Sequence, residues 1–204
     1  VDARGAVTPL VGGRRIGSWL PWYRGAEGEP MQIESQALLD FVNEEMFDSS
    51  FGMALDVHSG FGFRDRLWYP YARQMGGYEQ EAACIRLADR LAEYDSHHVY
   101  RVEPQSTQYT THGDLWDHAF DRHRAMRGET GNVFLPWTLE MGSWSWVRKN
   151  PLQMFSALGA FNPIKPHRYA RTMRRHARLV DFLWSVLLSG PETLASHQGV
   201  ATSD

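Results

Sequence analysis

Apolar residues recur along this chain with two periods. At spacings of three and four they run through Ile33, Ala37, Leu38, Phe41, Val42 and Met46, and through Ala82, Ile85, Ala88, Leu91 and Ala92. A third such stripe holds Tyr169, Met173, Ala177 and Val180. That spacing gathers side chains on one side of a helix, so helices are predicted over Ile33 to Phe47, Tyr78 to Tyr94 and Lys165 to Ser189, each turning its stripe inward. A further helix is predicted from Asp114 to Met126, its first turn acidic as the helix dipole favours. Shorter apolar runs, Phe51 to Val57 and Asn132 to Leu139, have the length of buried strands, and His98 to Val102 alternates like a third. Strands alternating with helices predict a layered α/β fold. Residues 1–30 mix Gly, Pro, Arg and Trp without a period and read as an irregular segment crossing a surface or lining a cleft. Ser59 to Gly77 reads as a long loop carrying Arg64, Arg66, Trp68, Tyr69 and Tyr71, Tyr109 to Gly113 as a polar turn, and Ser143 to Phe161 as partly irregular. The polar stretch after Gly190 reads as a frayed tail.

Composition narrows the picture. A chain of 204 residues, 43% hydrophobic and 13% aromatic, fits one domain with a sizeable core. A formal net charge of −3 supplies no global field for nucleic acid or an anionic membrane. Arg168, Arg171, Arg174, Arg175 and Arg178 are therefore read as the solvated face of an amphipathic last helix, not as a nucleic-acid patch. No window reaches the roughly 18 apolar residues of a membrane span. The one cysteine, Cys84, excludes an internal disulfide, suits a reducing compartment such as the cytoplasm, and reads as a packing residue. Val1-Asp2-Ala3-Arg4 shows no initiator Met and no signal-peptide layout, so the sequence reads as the middle of a longer protein.

The chemistry concentrates at two strand ends. Ala54-Leu55-Asp56-Val57 delivers His58 and then turns at Ser59-Gly60; Val133 to Leu139 delivers Glu140 and then Met141-Gly142. Open α/β sheets place their sites at the carboxyl ends of strands. His58 is thus a candidate metal ligand and Glu140 a candidate general base, with Leu139, Trp137 and Met141 expected to form an apolar wall around the carboxylate. Asp56, two residues before His58, shares its side of the strand and is a candidate to orient the imidazole. His97 and His98, adjacent on a predicted strand, would face opposite ways and cannot chelate together. His112, His118 and His123 read as surface residues, and Trp144 and Trp146 as packing.

These motifs, in this order, resemble the zinc carboxypeptidase family. Leu55-Asp56-Val57-His58-Ser59 looks like its third-ligand motif and Leu139-Glu140 like its catalytic-glutamate motif. Trp68-Tyr69-Pro70-Tyr71 resembles the Tyr-Pro-Tyr between them, and Tyr23-Arg24-Gly25 with Glu34, Ala37, Leu38 and Phe41 resembles the segment leading into the first strand. The resemblance implies a three-layer α/β/α fold with a mixed sheet, here the C-terminal portion of one catalytic domain (1–190) lacking its first strands, followed by a flexible tail (191–204). It implies zinc, a peptide substrate, His58 as a metal ligand and Glu140 as the base. By the same resemblance Tyr109, eight residues before Asp117, stands where the family has a tyrosine that closes over substrate, and Trp116 where it has the residue on the pocket floor. Val1-Asp2-Ala3-Arg4 looks like a departing version of the Val-Asp-x-Asn-Arg motif. Asp2 then matches the aspartate that steadies a zinc histidine, and Arg4 the carboxylate-binding arginine, although the asparagine is absent. Arg66 is a rival clamp for a substrate carboxylate, since guanidinium forks suit carboxylates; its bland alternative is an ion pair with Asp65 or Asp48. The family's first two zinc ligands are expected upstream of Val1, in the missing N-terminal segment of the same domain. Three functions follow as expectations: a zinc carboxypeptidase-like hydrolase, an N-acyl amino-acid amidohydrolase of the desuccinylase and aspartoacylase type, or an inert fragment lacking two ligands.

Overall fold

The computed structural model describes residues 13–14, 30–60, 62–128, 132–156 and 158–194. In chain order these form β1 (Gly13–Arg14), α1 (Ile33–Met46), β2 (Phe51–Ser59), β3 (Arg66–Tyr69), α2 (Glu81–Tyr94), β4 (Arg101–Pro104), β5 (Thr110–Thr111), α3 (Leu115–Arg127), β6 (Val133–Met141), α4 (Trp144–Lys149) and α5 (Pro166–Ser189), with short 3-10 turns between some of them. Asp2 and Arg4 lie outside the described residues, as does most of the segment read as irregular.

The main sheet is four-stranded and mixed, in the order β2-β6-β3-β4. β2 runs parallel to β6, β3 antiparallel to β6, and β4 parallel to β3. β6 is central and buried along nearly its whole length, which explains its unbroken apolar run. Helices cover both faces. On one, Phe47 at the end of α1 packs edge-on, and His123 of α3 tilted, against Phe134 of β6. On the other, Tyr69 meets Trp137 and donates to Glu81 at the start of α2. The α/β class with layered helices is therefore the observed one. One continuous core joins Leu39 and Val42 of α1, Cys84, Leu87 and Leu91 of α2, Phe120 of α3 and Leu179, Phe182, Leu183 and Val186 of α5.

Several expectations need correction. The loop after β2 contains a strand, β3, too short to stand out in a segment rich in arginine and tyrosine. The strand expected at His98 to Val102 starts later, at Arg101, so His97 and His98 lie in the preceding turn rather than on a ladder. The inward stripe of α2 is Cys84, Leu87 and Leu91, leaving Ile85 exposed; in α1 Leu39 and Val42 are buried while Ile33 and Phe41 are exposed. In α5 the stripe Tyr169, Met173 and Val180 is exposed, and the helix turns its other sides to the body. The face it buries is Leu179, Phe182, Leu183 and Val186, and beside it Arg175 donates to the buried carboxylate of Asp65 at 2.6 Å. His123, read as a surface residue, is buried between Phe47 and Phe134, where desolvation holds its pKa below the ordinary 6.5. The tail does not begin at 191: Pro191–Leu194 form a 3-10 turn and Leu194 joins the core, while 195–204 lie outside the described residues.

Candidate active site

Laterally paired residues of a sheet point to the same side, and residues two apart along a strand do too. His58 pairs with Glu140, Glu140 with Arg66, and Arg66 with Arg101. One step along, Asp56 pairs with Thr138, Thr138 with Trp68, and Trp68 with Glu103. Two rows of polar side chains therefore cross one face of the sheet. Because β3 is antiparallel to β6, its first residue, Arg66, falls at the same edge as the last residues of β2 and β6. The sheet topology thus brings His58, Glu140 and Arg66 to one place from distant points of the chain.

Asp56 and His58 act as a unit. The His58 Nε2 sits 3.0 Å from Asp56 Oδ2, and the same oxygen accepts from the Trp116 indole N–H at 2.9 Å. The hydrogen bond to Asp56, with the charge of that carboxylate, raises the imidazole pKa above the ordinary 6.5, against partial desolvation. The same bond to His58, assisted by that from Trp116, lowers the pKa of Asp56 below 3.8. With Asp56 accepting from Nε2, the proton of the neutral imidazole belongs on that nitrogen, which leaves the Nδ1 lone pair turned toward Glu140. Nδ1 lies 3.8 Å from Glu140 Oε2, too far for a hydrogen bond. His58 is half exposed, whereas Glu140 is only 4% exposed. The apolar wall expected from Leu139, Trp137 and Met141 is not around the carboxylate: these residues alternate with Glu140 and point to the other face, where Leu139 and Trp137 are buried.

Further across the face, Glu103 was not anticipated. It is buried, and its carboxylate is held by Arg66 Nε (3.2 Å), Arg101 Nε (2.7 Å), the Trp68 indole (3.4 Å) and Gln108 (2.9 Å). A buried carboxylate needs such partners. The alternation Arg101-Val102-Glu103 was its only signal in the sequence. Arg66 is thus engaged with Glu103, not with Asp65 or Asp48, which pair with Arg175 and Arg127.

Two turns hold the edge in place. Asp65 accepts from the Gly142 N–H at 2.9 Å, so it fixes the turn directly after Glu140. A Cβ on Gly142 would lie 2.5 Å from the backbone nitrogen of Arg64, and only glycine permits this approach. Trp144 ties the same turn to the one after His58, donating from its backbone to Gly62 and from its indole to Gly60.

Tyr109 packs edge-on against Trp68, which places it over the second polar row. Trp116 stands beside Asp56 on α3, whose N-terminus is capped by Asp114 accepting from the amides of Trp116 and Asp117. Asp117 accepts from the amides of Ala72 and Arg73, and burial pushes its carboxyl up to about 6 against their pull. The Tyr69 and Tyr71 rings of the Tyr-Pro-Tyr segment belong to the core, with their hydroxyls on Glu81 and Asp121. Asp56, His58, Glu140, Arg66, Trp116 and Tyr109 thus all lie on or over one sheet face. Among the described residues no three His, Cys, Asp or Glu side chains are arranged to hold a metal ion. Compared with known proteins, the chain matches no family model, no curated protein and no solved structure.

Proposed function

We propose that this face is the base-bearing side of a metal-dependent amide hydrolase site resembling that of the zinc carboxypeptidases. The observation that carries the reading is the register pair His58 and Glu140, with a lone-pair nitrogen and a buried carboxylate 3.8 Å apart at one strand edge. The donor chemistry fits zinc as far as it goes. An imidazole fixed by a carboxylate on one nitrogen and free on the other is the usual form of a metal-bound histidine. It is one ligand where catalytic zinc takes three, and the described residues do not supply the others. His58 would hold the ion through Nδ1, and Asp56 would keep the ring aligned. When bound, such an ion polarises a carbonyl and acidifies water.

The rest of the work belongs to the chain. Glu140 takes the proton of the attacking water and returns it to the leaving amine. Asp56 resists rotation of the imidazole. The Trp116 indole, anchored on Asp56, narrows the space beside His58. That narrowing favours a second reading, an N-acyl amino-acid amidohydrolase acting on small acyl groups.

The test uses the 204-residue chain with added zinc, assayed against N-blocked dipeptides with a free C-terminal carboxylate and against N-acyl amino acids. Turnover of the dipeptides supports the first reading, and turnover confined to the acyl amino acids selects the second. Absence of both turnover and bound zinc contradicts the two together.

A further inference from the structure

A cleft of about 430 Å³ opens between α5 and the turn joining α2 to β4. Its helical wall carries Arg171, Arg174, Arg175 and Arg178. These positions are spaced three and four apart and form one stripe about 10 Å long. Arg168, one turn earlier, is directed instead to the carbonyl of Trp146, which ends the stripe there. Like charges at this spacing repel. Two of the four are offset: Arg175 by Asp65 at 2.6 Å and Arg178 by Asp95 at 3.6 Å. Arg171 and Arg174 have no acidic partner among the described residues. A molecule with a net charge of −3 thus concentrates unmatched positive charge in one hollow.

The facing wall is aromatic. Tyr94 is half exposed, and His98 stacks on Tyr100 with ring centres 6.1 Å apart and planes 15° from parallel. The Nδ1 of His98 is buried and has no hydrogen-bond partner among the described residues. We propose that this cleft binds a small organic phosphate bearing an aromatic ring, the chemistry of a nucleotide. Guanidinium forks match phosphate oxygens, and Arg171 and Arg174 supply them without breaking an internal ion pair. The Tyr94 ring, tilted against Phe182 and half exposed, offers a stacking surface at the cleft wall. The volume lies in the range of small-molecule sites. A nucleic-acid strand suits the site less well, because a strand-tracking groove spans several nucleotides, whereas this stripe ends after two helical turns.

Binding to the full chain is measured by calorimetry with adenosine triphosphate, inorganic phosphate and a single-stranded oligonucleotide of about 12 nucleotides. The proposal expects saturable binding of the triphosphate, clearly weaker binding of phosphate, and a loss of about tenfold or more in the Arg171→Ala/Arg174→Ala variant. Both side chains are exposed, and circular dichroism checks that the variant stays folded. Tyr94→Ala should weaken the nucleotide and leave phosphate unaffected. No saturable nucleotide binding, equal affinity in the arginine variant, equal affinity for phosphate, or an oligonucleotide bound far more tightly than the nucleotide each overturns it.

Discussion

The polar rows of the sheet and the arginine stripe of α5 both concentrate charge, but they treat it in opposite ways. On the sheet, groups of opposite character meet across the strands: Glu103 lies among Arg66 and Arg101, and Glu140 stands in register between His58 and Arg66. Glu103 meets its partners within the fold and is almost completely buried, as is Glu140 beside it on the same face. On the helix, a spacing of three and four brings like charges together. Asp65 and Asp95 answer only Arg175 and Arg178, and the other two arginines remain at the surface. The sheet holds its carboxylates buried within the fold. The helix leaves its other two arginines to whatever enters the cleft. Asp65 joins the two regions, taking Arg175 with one oxygen and the amide that follows Glu140's turn with the other.

The difference can be broken at its strongest point first. Trp137 is fully buried in the strand that carries Glu140. Trp137→Ala should cost about 3–5 kcal/mol in chemical denaturation, and a loss below about 1 kcal/mol would contradict the central, buried place given to β6. Asp65→Ala removes the shared anchor and leaves the Gly142 amide without its acceptor. We expect a loss of about 1–3 kcal/mol, together with tighter nucleotide binding as Arg175 is released; unchanged stability would show that the two regions are not joined there.

The smallest effect concerns Asp56. His58 has a folded-state pKa above 6.5, so its contribution to stability is present below 6.5 and fades as pH rises through the folded value. Asp56 has a folded-state pKa below 3.8, so its contribution is present above 3.8 and fades as pH falls through the folded value. The pair therefore stabilises most between about pH 4 and 6.5. A proton NMR titration of His58 should show its midpoint above 6.5 and a fall in Asp56→Asn; an unmoved midpoint would separate the two residues.

The sequence was most legible where one strand decides the outcome. β2 and β6 showed as apolar runs, and the alternation of a strand put Asp56 beside His58. Glu103 stayed hidden because its place depends on pairing between β4 and β3, a four-residue strand with no pattern of its own. The helix faces were misread for a related reason. Both α2 and α5 carry apolar residues on more than one side, and tertiary partners chose among them: the core settled on Cys84, Leu87 and Leu91 in α2 and on Leu179, Phe182, Leu183 and Val186 in α5. Arg66 read as free to clamp a substrate because its true partner, Glu103, lies 37 residues away.

The central claim is that Glu140 is a general base set beside an oriented imidazole. Glu140→Gln keeps the shape of the side chain and removes its basicity. Measured with added zinc on whichever amide substrate the wild-type chain turns over, this variant should lose about 10²–10⁴ in kcat while binding as much zinc as the wild type. Undiminished turnover in Glu140→Gln would contradict the account.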